Sequence, residues 1–187
     1  MNLPNKISMI RILIIPVMVV VYYIVPTVTP VGWNFYPWGL VVPLLFVIAS
    51  LTDFLDGYLA RKLNLVTTFG KFIDPLADKL LVMTALIILT TDGIIPLWIT
   101  VIILSREFIV TGIRLVAAPT GKVIAASNLG KYKTASTMIA LILLLMHPYG
   151  TWFYDIGIVI LYIGLILTVV SGIDYFNKNK HIITESI

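Results

Sequence analysis

The chain contains no cysteine, which excludes disulfides and thiolate metal sites. Its two histidines, His147 and His181, are far apart and make a poor basis for a zinc site. Charge is also scarce: 12% of the 187 residues are charged, against about 25% in a typical soluble domain. There is no internal repeat, low-complexity tract or linker, so a single domain over residues 1–187 is expected. No stretch is left over for a large soluble core.

What the chain does have is apolar length. Hydrophobic residues make up 59% of it. Six stretches approach the roughly 20 apolar residues that a membrane helix needs, at about 7–26, 38–60, 71–91, 95–117, 131–147 and 152–176. The expected fold is all-α: an integral membrane protein with six transmembrane helices. The first stretch follows Lys6 and Arg11 like a signal peptide, but YYIVPTVTP after it offers no small-residue cleavage site, so it reads as a retained span. In this six-span arrangement all 13 lysines and arginines fall on one side. Positive charge stays cytoplasmic, so both termini and both long basic connections are expected inside the cell membrane. The net charge of +4 suits a surface facing anionic lipid and does not suggest nucleic acid. Segments 27–37 and 147–155 read as outer loops, and 178–187 as a short, weakly ordered end.

Against that background, four of the nine acidic residues fall between positions 53 and 78. Asp53 and Asp56 are three apart on the second span; Asp74 and Asp78 are four apart on the third. Both spacings put a pair on one helix face. The connection between the two spans is short, so they are expected to be antiparallel neighbours with four carboxylates at similar depth. Such charges within a membrane are costly and need compensation. Three kinds remain open. Arg61, Lys71 or Lys79 can supply ion pairs; protons can neutralise the carboxylates, as in a transporter; or divalent metal can bind. Hard oxygen ligands favour Mg²⁺ or Mn²⁺. Gly57 and Ala60 share the face of Asp53 and Asp56, where small residues admit either another helix or a flat ligand. Gly70 opens the third span as a turn or a phosphate contact. Pro75 follows Asp74 close to the helix start, where it costs little.

Together these residues spell Asp53-x-x-Asp56-Gly57-x-x-Ala60-Arg61, then eight residues, then Gly70-x-x-x-Asp74-x-x-x-Asp78. This resembles the complete signature of the CDP-alcohol phosphotransferase family, with no position departing from it. By that resemblance Asp53, Asp56, Asp74 and Asp78 hold two divalent metal ions, Mg²⁺ or Mn²⁺. Asp56, Gly57, Ala60, Arg61, Gly70 and Asp74 bind the CDP-linked donor. Asp78 takes the place of the general base, with Asp74 one turn away as the alternative.

The opening NLPNKISMIR and the stretch 105–134 resemble the bacterial members that use CDP-diacylglycerol as donor and glycerol 3-phosphate as acceptor. Asn5 and Arg11 belong to the first of these segments, and Arg11 is a candidate to point into the site. The residues themselves agree with an anionic acceptor. Arg106 and Arg114 lie on the inner half of the fourth span, and Lys131 and Lys133 open the fifth after Gly130. These four are the candidates for binding the acceptor phosphate. Glu107 reads as an ion-pair partner and Lys122 as a headgroup contact. Inositol phosphate would satisfy the same cations; serine or phosphatidylglycerol as acceptor would not obviously need them. A transporter would be expected to show ionisable residues at mid-membrane and repeat symmetry. The acyl chains of the donor should stay in the lipid, and the family resemblance implies a homodimer.

Overall fold

The computed structural model describes residues 2–24, 40–62, 67–117 and 128–185. Segment 27–37 and Lys122 lie outside the described residues. Six α-helices follow in order: α1 (Leu3–Ile24), α2 (Val41–Lys62), α3 (Thr68–Thr91), α4 (Leu97–Ala117), α5 (Asn128–Leu145) and α6 (Thr151–Glu185). A 3-10 turn at His147–Tyr149 joins the last two. The described part is thus all-α, as expected.

Local chemistry sets several boundaries. Thr67 caps α3, its hydroxyl accepting the Gly70 amide at 2.9 Å. Gly70 therefore lies inside the first turn of α3. Pro75 sits deeper than the sequence suggests, in the second turn, where it cannot donate to the carbonyl four residues back. The far end of α3 closes with paired backbone bonds, Gly93 to Thr90 and Ile94 to Leu89. Gly93 takes φ +71 there, a left-handed conformation that a glycine adopts without strain. α6 runs past the expected span end at about 176 and continues to Glu185. No proline or glycine after Gly172 interrupts it.

The helices form two groups. α1 packs along both α2 and α3, more extensively than those two pack on each other. α2 and α3 touch directly, as expected of neighbours. α6 packs along α5 and α4, and α5 also reaches α2 and α3. Small residues at seven-residue spacing on α6, Gly157, Gly164 and Ser171, run along this junction. A Cβ on Gly157 would come within 2.9 Å of Leu144 Cγ, and one on Gly164 within 3.1 Å of the Ser136 and Thr137 hydroxyls. Their absence lets α5 approach closely. The shared core includes Met18, Phe46, Leu81, Leu86, Ile99, Leu141 and Leu161, drawn from all six helices.

The outside of the bundle is apolar too. Leu13, Val17 and Val20 of α1 face outward, as do Leu44, Ile48 and Leu51 of α2 and Val159, Ile163 and Ile166 of α6. Two helices are long and apolar enough to cross a membrane, over Asn5–Ile24 and Thr151–Lys178. Only 22% and 33% of their most apolar windows are buried. Such exposure is foreign to the core helix of a water-soluble bundle. The other helices carry more charge, and that charge builds the site.

Candidate active site

All six helices carry polar residues into one region of the bundle. On α1, Asn5, Ser8 and Arg11 recur every three residues and so line one face. Each is buried and meets the carboxylate-bearing helices. Arg11, with no exposed surface, donates from Nη1 to Asp53 Oδ1 on α2 at 2.6 Å. Ser8 donates to Asp74 Oδ1 on α3 at 2.6 Å. Asn5 Oδ1 accepts from the Thr67 hydroxyl at 3.0 Å. A Cβ on Gly70 would lie 3.0 Å from Asn5 Oδ1 and 3.2 Å from Thr67 Oγ1. The glycine thus admits α1 against the start of α3.

Asp78 stands between two charged groups. Asp53 and Arg11 act on it from one side, Glu107 and Lys133 from the other. Two mutually repelling carboxylates beside a single fully buried arginine form a hard oxygen donor set that can take a divalent cation. Among the described residues no three metal-ligating side chains converge. The signature's fourth aspartate, Asp56, occupies the α2 backbone three residues after Asp53. Its side chain lies outside the described residues, as do those of Gly57, Ala60, Arg61 and Lys71.

Asp78 also lines a cavity of ≈ 570 Å³, together with Arg106, Arg114, Lys131, Lys133 and Tyr175. All four expected phosphate-binding cations therefore meet in one place, beside one of the signature carboxylates. Glu107 is the ion-pair partner it was expected to be: it takes Lys133 and, at 3.2 Å, Arg106 Nη1. Lys79 also lines the cavity, and its amine donates to the Thr111 hydroxyl. Among the described residues it makes no ion pair with the signature carboxylates; Arg11 takes that place at Asp53. Arg106 Nη2 donates to Ser171 on α6 at 2.9 Å, and Arg114 Nε to the Tyr175 hydroxyl at 3.3 Å. Asp92 and Asp155 are exposed near the other end, Asp92 accepting from Tyr22 at 2.6 Å.

Sequence reasoning missed Ser8, Thr67, Ser171 and Tyr175. For Ser8 a signal existed, the polar stripe Asn5-x-x-Ser8-x-x-Arg11 on an otherwise apolar helix. Ser171 and Tyr175 gave a weaker one, two polar residues four apart in the second half of α6.

One signature aspartate, Asp78, opens onto a cavity lined by the four expected cations in this bundle of helices, and residues 1–170 match the CDP-alcohol phosphatidyltransferase family. The chain belongs to that family. Among its relatives is the CDP-diacylglycerol--glycerol-3-phosphate 3-phosphatidyltransferase of Bacillus subtilis, 48% identical over 95% of each chain. Proteins of the same name from Rickettsia felis and Salmonella choleraesuis are 40% and 36% identical. The Rickettsia match covers 96% of both chains, the Salmonella match 96% of this chain and 95% of the relative.

Proposed function

We propose that the protein transfers the phosphatidyl group of CDP-diacylglycerol to glycerol 3-phosphate, releasing CMP. The observation that carries this reading is the ≈ 570 Å³ cavity in which Asp78 faces Arg106, Arg114, Lys131 and Lys133. A phosphate monoester bound by those cations brings its hydroxyl towards a carboxylate that can accept the proton. The acceptor oxygen bonds to the phosphorus bearing diacylglycerol, the pyrophosphate P–O bond breaks, and CMP leaves. Asp78 takes the hydroxyl proton. Asp53, Asp56, Asp74 and Asp78 would hold two Mg²⁺ or Mn²⁺ ions, whose charge would offset that of the diphosphate. Arg11 and Ser8 orient Asp53 and Asp74 for this. Asp56, Gly57, Ala60, Arg61, Gly70 and Asp74 form the donor site.

The donor is a lipid, which fits a single domain of six membrane spans with both termini cytoplasmic and the site at the inner face of the cell membrane. The apolar exterior and the one-sided lysines and arginines support that placement. The working unit is a homodimer. The test is CMP release by purified protein in detergent with CDP-diacylglycerol and Mg²⁺. Glycerol 3-phosphate, inositol phosphate, serine and phosphatidylglycerol are supplied separately. Release is expected with glycerol 3-phosphate only, and a chelator should abolish it. Release with another acceptor overturns the acceptor assignment; release that survives chelation overturns the metal assignment.

A further inference from the structure

Both cavity arginines on α4 are held from α6, by residues that lie beyond the 1–170 family match. Ser171 is fully buried. Its hydroxyl donates to the Thr168 carbonyl at 3.2 Å and accepts from Arg106 Nη2 at 2.9 Å, so its direction is set by the helix. One residue on, a Cβ at Gly172 would stand 3.1 Å from Arg106 Cγ, closer than ordinary packing allows. One turn beyond Ser171, Tyr175 accepts from Arg114 Nε, and the guanidinium carbon lies 5.6 Å from the centre of its ring. That bond leaves untouched the two terminal nitrogens with which an arginine forks onto a phosphate. On Arg106 each terminal nitrogen carries two hydrogens, and Ser171 and Glu107 take one from each.

We infer that Ser171, Gly172 and Tyr175 are positioning residues that set acceptor selectivity, holding Arg106 and Arg114 ready for a small phosphomonoester in preference to a neutral alcohol. The inference rests on the acceptor reading above. A free arginine samples many rotamers, and each side chain immobilised on binding weakens the binding that remains. α6 fixes the two arginines beforehand. Its effect therefore falls on the affinity for the anionic acceptor and leaves the donor untouched.

The experiment is steady-state kinetics of the full chain in detergent, varying glycerol 3-phosphate and CDP-diacylglycerol in turn, with thermal unfolding measured alongside. The variants are Ser171→Ala, Gly172→Ala and Tyr175→Phe, with Arg106→Ala and Arg114→Ala as references. Ser171→Ala and Tyr175→Phe should each raise the acceptor KM about tenfold, the effect of losing one bond to a charged group, Gly172→Ala should raise it by displacing Arg106, and all three should leave the donor KM within about twofold. Gly172→Ala is the sharpest of them. Alanine is the better helix former, so Tm should hold or rise while the acceptor KM worsens. Ser171→Ala added to Arg106→Ala should cost nothing further. If the arginine variants raise the acceptor KM and the α6 variants do not, this inference fails and the acceptor reading stands. Unchanged kinetics in the arginine variants would overturn the acceptor reading as well. Acceptor and donor KM rising together with a fall in Tm would make the α6 residues merely structural and overturn the inference.

Discussion

Arg11→Met removes the buried guanidinium that answers Asp53 and keeps an unbranched stem in its place. Breaking an ion pair that is wholly buried costs about 3–5 kcal/mol. Here one partner is fully buried, but the side chain of Asp53 is 43% exposed, so water screens part of the stranded charge. We expect a loss of about 2 kcal/mol, roughly half the buried-pair value. For a chain of this size that lowers Tm by about 4–8 °C. The assay is unfolding in detergent at a fixed scan rate, with and without Mg²⁺. Without Arg11, the repulsion between Asp53 and Asp78 is less well opposed, because both act on one another and Arg11 offsets them. A divalent cation should therefore raise the Tm of the variant more than that of the parent. An unchanged Tm would refute the structural role of the pair. An equal Mg²⁺ response in variant and parent would refute the idea that Arg11 and a divalent ion serve the same carboxylates.

Asp78→Asn should abolish CMP release without lowering Tm, since it removes one of two repelling carboxylates; retained turnover would remove Asp78 from the base role. Glu107→Gln leaves Lys133 and Arg106 without their shared counter-charge and should cost about 1–3 kcal/mol. Inorganic phosphate should then raise Tm more in this variant than in the parent, and an equal response would count against phosphate binding in the cavity. Gly157→Val places carbon within 2.9 Å of Leu144 Cγ and should destabilise by about 1–3 kcal/mol. Gly112→Ala, where a Cβ meets nothing within 4 Å, should be neutral or stabilise by up to about 1 kcal/mol. Matching unfolding temperatures for these two glycine variants would contradict the close α5–α6 packing.

The sequence alone determined much of this protein. Apolar length predicted helices, and helices form where long apolar runs satisfy their own backbone. Spacing placed Asp53 beside Asp56 and Asp74 beside Asp78, because 3.6 residues per turn governs neighbours on one helix. The signature pointed to the family, and the cations at 106, 114, 131 and 133 to an anionic ligand. Tertiary structure decided what answers those charges. Arg11 meets Asp53 across 42 positions, Ser8 meets Asp74 across 66, and Ser171 meets Arg106 across 65. No periodicity encodes such pairs; they depend on which faces of α1 and α6 the packing turns inward. The depth of Pro75 in α3 and the length of α6 were not legible for a related reason. A helix boundary is set by a single cap, here Thr67, or by the absence of any breaker after Gly172, and not by the hydrophobic pattern that marks the helix itself.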